Sequence, residues 1–103
     1  LILLDCFETM VELDGQIYRP RLGMTEFLTH FGARMGIPIA VISDAKKHEV
    51  DSALAQARLS TFVVRIYHAD NAAEALGSGR IRKRLDVPVT DFHLKPDQVV
   101  FIG

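Results

Sequence analysis

The stretch Leu1-Ile2-Leu3-Leu4-Asp5-Cys6-Phe7-Glu8-Thr9-Met10 decides how this chain is read. Its first four residues are apolar without alternation, which describes a strand buried on both faces rather than one. The strand delivers a carboxylate, Asp5, at its C-terminal tip, with the hydroxyl of Thr9 four residues on. That arrangement points to a nucleophilic aspartate. Many enzymes that use it place a second carboxylate two residues after the first. Here that position holds Phe7.

Working outward, residues 10–18 carry Asp14-Gly15 between Val11, Leu13, Ile17 and Tyr18. Asp-Gly suits a tight turn with positive φ, so a small hairpin, a flap, follows Asp5. Arg19-Pro20 leads into a helix over 22–35. Met24, Phe27, Leu28 and Phe31 recur on one face of it, and Gly36 suits its C-cap. Residues 37–42 read as a second buried strand. Ser43 and Asp44 follow and are suited to cap a helix over 45–58, whose core face is Val50, Ala53, Leu54 and Ala57. Residues 62–67 form a third strand. Residues 68–82, polar, small and containing Gly77 and Gly79, read mainly as loop with at most one helical turn. A short helix is expected over 88–94, starting at Pro88, and a fourth strand over 98–102.

Strands alternating with helices predict an α/β fold: a three-layer, Rossmann-like parallel sheet with right-handed crossovers. In such sheets ligands bind beyond the C-terminal ends of the strands. The rule selects Asp5, Ser43 and the segment 68–84. The chain, 103 residues, reads as one domain. It starts and stops on strand residues, so it is expected to be a piece cut at both ends.

Composition narrows the function classes. The chain is 49% apolar and 24% charged, as a packed globule requires. Its net charge of −1 gives no field for nucleic acid. Arg80, Arg82, Lys83 and Arg84 form a local basic cluster, either a solvated face or an anion-facing patch. Cys6 is the only cysteine, so an intramolecular disulfide is excluded and a reducing intracellular compartment is compatible. No apolar run approaches the roughly 18 residues of a membrane span.

The positions at the strand ends permit phosphoryl chemistry. A carboxylate attacks an anionic phosphoryl group only where charge is neutralised, usually by Mg²⁺. Asp5 can supply one ligand while its other oxygen attacks. Ser43 and nearby amides can hold a phosphate oxygen, and Lys83 can offset its charge.

These residues, in this order, resemble the haloacid dehalogenase (HAD) superfamily. Its first motif, an apolar strand followed by Asp-x-Asp-x-Thr/Val, is matched by Asp5-Cys6-Phe7-Glu8-Thr9. Its second, an apolar strand ending in Ser or Thr, is matched by Ile39-Ala40-Val41-Ile42-Ser43. The third is a Lys. The fourth opens with an apolar strand and Gly, matched by Val99-Val100-Phe101-Ile102-Gly103. The resemblance spans essentially the whole chain. It implies catalytic roles at Asp5, Thr9, Ser43, Lys83 and the altered position Phe7. It also implies a phosphate cradle of Ser43, Lys83 and Arg80, and Mg²⁺ held at Asp5 and at the position of Phe7.

Lys95-Pro96 resembles the third motif in composition, yet Lys95 precedes the fourth strand and so lies at the wrong end of the sheet, on the order of 16 Å from the site. Lys83 follows the third strand on the correct side, with Arg80 and Arg84 as rivals. The spacings leave no room for a cap domain. Among capless members the chain is most similar to phosphatases of the RNA polymerase II C-terminal tail, on Phe7-Glu8-Thr9, Arg19-Pro20, Glu26-Phe27-Leu28 and Ile66-Tyr67-His68. Such an open site would admit protein-sized substrates or be closed by a partner; a phosphorylated protein or a small phosphoester is the expected substrate, and a protein partner is expected if the domain is degenerate.

Phe7 limits the chemistry, because phenylalanine transfers no proton. Glu8 is a poor substitute, since adjacent side chains of an extended segment face opposite ways. Three functions follow: a Mg²⁺-dependent phosphohydrolase with an impaired acid–base step, a domain kept as a structural or protein-binding module, or a dehalogenase, whose leaving halide needs no proton. His30, His48 and His93 lack ligand spacing for zinc. His68 is the only histidine expected on the active side.

Overall fold

The computed structural model describes residues 1–68, 73–75, 81–83 and 86–103. Four strands form one parallel sheet: β1 (Ile2–Asp5), β4 (Ile39–Ile42), β5 (Arg65–Tyr67) and β8 (Val100–Ile102), in the order β5-β4-β1-β8. Ile2 pairs in register with Ile39 on one side and Val100 on the other. The chain therefore steps outward twice in one direction, then returns past β1 to lay down β8.

That reversal dictates the layers. Parallel crossovers are right-handed, so successive steps in one direction put their helices on one face, and the return step uses the other. Side chains alternate across a strand, and the two faces divide accordingly. Ile2, Leu4, Ile39 and Val41 pack with Leu28 of α1 (Met24–Leu28) and with Val50, Ala53 and Leu54 of α2 (Lys47–Gln56). Leu3, Ala40, Ile42 and Tyr67 face the opposite way, packed with Leu1, Phe92 and Val99, where α3 (Asp86–Asp91) leads out. The architecture is α/β, and its strand order is compatible with a Rossmann-like fold.

The flap forms as Asp14-Gly15 predicts. Strands β2 (Val11–Asp14) and β3 (Ile17–Pro20) pair antiparallel, Asp14 opposite Ile17, with Gly15 at φ 66°. The first helix continues from α1 as a wider π-type turn over Thr29–Arg34. Thr29 Oγ1 donates to the Thr25 carbonyl, adding a side-chain donor to that turn, and Gly36 at φ 71° closes the element.

Several boundaries differ from the sequence reading. Ser43 does not cap α2: the N-cap is Lys46, without a side-chain hydrogen bond, and Ser43 Oγ instead accepts from Ala45 N at 3.1 Å. The third strand starts at Arg65, because Ser60–Phe62 makes a 3₁₀ turn first. The fourth starts at Val100, after a 3₁₀ turn over Pro96–Gln98. Helix α3 begins at Asp86, so Pro88 sits in the first turn, where its missing N–H has no helical partner to lose. The loop reading of 68–82 is corrected in part: β6 (Ala73–Ala75) and β7 (Ile81–Lys83) pair antiparallel, Ala73 opposite Lys83.

Candidate functional site

Asp5 is the last residue of β1, half-buried, in register with Ile42. Ser43 directly follows Ile42. Neighbouring strands lie about 4.8 Å apart, so the two side chains stand at adjacent strand tips. On the other side, Gly103 follows β8. A Cβ placed there would collide with the Phe101 ring at 2.7 Å, while the Cβ of Asp5, at 3.8 Å, would be an ordinary contact, so Gly103 lies directly beside Asp5. This is the topological switch point, between β1 and the strand laid down on the return, where open α/β sheets bind ligands.

The chain after Asp5 winds tightly. Asp5 Oδ1 accepts from Cys6 N at 2.8 Å, which orients the carboxylate. The Cys6 carbonyl receives Met10 N at 2.9 Å and Val11 N at 3.2 Å, while Glu8 N donates to the Val11 carbonyl at 2.9 Å. Glu8 takes φ 66°, the left-handed region. Arg21 holds this turn twice: its main-chain N–H donates to the Met10 carbonyl, and its guanidinium donates to the Glu8 carbonyl. Thr9 emerges half-buried from the turn.

Phe7 is placed differently from a catalytic side chain. It packs against the core, and its ring lies 5.4 Å from that of Tyr18 in the flap, tilted at 58°. Tyr18 N in turn donates to Gln56 Oε1 of α2 at 2.9 Å. The flap is thus docked to the domain at Tyr18, through the Phe7 ring and through Gln56 of α2.

Ser43 is 1% exposed. Its N–H donates to the Tyr67 carbonyl at 2.8 Å, and its Oγ accepts from Ala45, so its hydroxyl hydrogen is the group it can offer an anion. Burial, with the Asp5 charge beside it, pushes the Cys6 thiol up to about 12, which makes Cys6 a packing residue and not a nucleophile.

The cationic leg of the expected cradle is less complete. Lys83 ends β7, but its side chain lies outside the described residues, as do Arg80 and Arg84. Lys95 is where strand geometry puts it, at the far end: Lys95 N donates to Gln98 Oε1, and the Gln98 carbonyl receives the amino group of Leu1, four residues before Asp5. His68 follows β5, two strands from β1 and so about 10 Å across the sheet. It lines a depression with Lys47 and Asp51 on that outer side.

Two arrangements escape a sequence reading. Tyr67, buried at the tip of β5, donates its hydroxyl to Asp91 Oδ2 at 2.6 Å, and Arg65 reaches the same oxygen at 3.3 Å. This ties α3 to the sheet across 24 residues of chain. Arg21 is the second; its only sequence signal is its place directly after Arg19-Pro20.

Among the described residues no group of three His, Cys, Asp or Glu side chains is placed to hold a metal ion. At the two positions assigned to Mg²⁺, Asp5 is an oxygen donor of the right kind and the side chain of Phe7 is not. The chain offers one carboxylate there, the least that Mg²⁺ accepts when phosphate oxygens and water complete its shell. No helix among the described residues is long and apolar enough to cross a membrane. No protein-family model, curated protein or solved structure matches the chain.

Proposed function

We propose that the chain is a HAD-like, phosphohydrolase-type domain in which Asp5 accepts a phosphoryl group and the acid–base step is impaired. The observation that carries this reading is the position of Asp5 and Ser43 at adjacent strand tips, set by the register of Asp5 with Ile42, with Gly103 beside Asp5. An Asp5 oxygen attacks phosphorus, the ester P–O bond breaks with its electron pair going to the leaving oxygen, and an acyl phosphate remains on Asp5. Ser43 donates to a phosphate oxygen. Lys83 or Arg80 supplies cationic charge. Mg²⁺ bound by Asp5 together with phosphate oxygens and water would offset the repulsion between the two anions. The substrate is a phosphorylated protein or a small phosphoester.

Phe7 provides no proton, and general acid–base help is worth about 10²–10⁴ in rate. Leaving groups that depart as stable anions are therefore favoured, and release of phosphate from Asp5 is slow. The test is hydrolysis of a generic aryl phosphate with and without Mg²⁺, by the native chain and by Phe7→Asp, with folding of both checked by circular dichroism. Slow Mg²⁺-dependent hydrolysis, raised by Phe7→Asp, is expected. Inactivity of both folded proteins would overturn the reading.

One observation favours a second reading, a protein-binding module without turnover: the residue at the acid position is occupied in docking the flap on Tyr18. Partners that co-purify with the chain would identify it. Dehalogenation is the third chemistry, and release of free halide from a short 2-haloacid would replace the first two.

A further inference from the structure

An open cavity of about 340 Å³ lies beside the Asp5 turn. Its floor is Leu4 and Ile102, the last register pair of β1 and β8, so it sits in the switch-point crevice itself. Met24 and Phe27 of α1 form an apolar wall. Thr9 and Arg21 are the polar groups, at the rim nearest the turn. Among the described residues Arg21 has no carboxylate partner, and its guanidinium makes one hydrogen bond, to the Glu8 carbonyl. Guanidinium carries five N–H donors, so others remain for a ligand. An apolar chamber with one cation and one hydroxyl at its rim is the usual composition of a small-molecule site.

We propose that this crevice binds a small organic anion with an apolar body. The body rests on Leu4, Met24, Phe27 and Ile102, and the anionic group takes hydrogen bonds from Arg21 and Thr9. Charge complementarity selects the ligand: a neutral aromatic leaves Arg21 unpaired, and inorganic phosphate leaves the apolar walls uncovered. Binding of this kind does not require Asp5 to react, so it stands or falls separately from the phosphoryl-transfer reading.

Phenylphosphonate, whose carbon–phosphorus bond resists hydrolysis, is the probe, titrated into the isotope-labelled chain and followed by NMR. Saturable shifts are expected at Leu4, Thr9, Met24, Phe27 and Ile102. Arg21→Ala is expected to weaken binding about ten- to a hundredfold, the range of a lost charged hydrogen bond. Arg21→Lys should fall between, and inorganic phosphate should bind at least about tenfold more weakly than phenylphosphonate, as loss of a buried apolar contact implies. Shifts centred elsewhere, no saturation, or equal affinity in a folded Arg21→Ala chain would overturn the proposal. Should Arg21→Ala fail to fold, the shift map of the unaltered chain decides.

Discussion

Glu8 holds a left-handed backbone, φ 66°, inside the turn that presents Thr9. An L-residue with a Cβ costs roughly 1–2 kcal/mol in that region, and glycine does not. Part of the gain is offset by the greater freedom of glycine in the unfolded chain. Glu8→Gly is therefore expected to raise the unfolding free energy by about 0.5–1 kcal/mol, measured by urea denaturation. The sequence reading treats Glu8 as the neighbour of Phe7 in an extended segment, and the left-handed turn corrects it; a positive φ at a non-glycine residue has no sequence signature. Cys6 gives a second residue-level test. Its thiol is raised from 9.0 to about 12 by burial and by Asp5, so the folded chain keeps a proton that the unfolded chain sheds. Stability is full below pH 9 and falls as pH rises towards 12. Tyr67, raised by burial and by its bond to Asp91, adds a further loss from pH 10 upward. Denaturation midpoints should fall steadily above pH 9, and a thiol reagent at pH 8 should react with Cys6 only after denaturant is added.

At the scale of elements, the flap depends on Phe7. Removing its ring takes away the aromatic contact of Tyr18 and part of the packing against the core, and Phe7→Ala is expected to cost about 2–3 kcal/mol, less than for a fully buried ring. The same dependence means that Phe7→Asp gains an acid and loses an anchor, so activity and stability must be read together. A parallel test concerns α3. Asp91→Ala strands the buried Tyr67 hydroxyl and should cost about 1–3 kcal/mol, whereas Tyr67→Phe, which removes the hydroxyl itself, should cost about 1 kcal/mol or less. The exposed Arg65–Asp91 pair adds little to either value. The elements legible in the sequence were those with strong local signals: the apolar runs of β1 and β4, the Asp14-Gly15 turn, and the periodic faces of α1 and α2. The β6–β7 hairpin was not, because Ala73–Ala75 and Ile81–Lys83 lack the alternating β-branched pattern of a strand. The contacts of Phe7 and of Tyr67 lie between residues distant in sequence, which no local pattern encodes.

For the whole molecule, what matters is that the sheet order β5-β4-β1-β8 reverses at β1. Reversal places Asp5 in the crevice between two helical layers, Ser43 at the next strand tip and Gly103 at its other side. Parallel register sets Asp5 beside Ile42 and so puts Ser43 at the neighbouring strand tip, and it was the rule on C-terminal strand ends that singled out both residues in the sequence. The cationic partner could not be fixed in the same way, since it belongs to the polar, glycine-containing segment after β5, where the sequence carries no strand or helix period to choose Lys83 over Arg80. The central claim is that Asp5 is a phosphoryl acceptor without its acid. It is tested most directly by rapid mixing of the chain with 4-nitrophenyl phosphate and Mg²⁺, followed by acid quench and mass analysis of the peptide containing Asp5. A burst approaching one nitrophenolate per chain, a phosphoryl group on Asp5, and slow release thereafter are expected. Asp5→Asn should show no burst, and Phe7→Asp should speed the slow phase by about 10² or more. Absence of both burst and phosphoryl group from the folded native chain would contradict it.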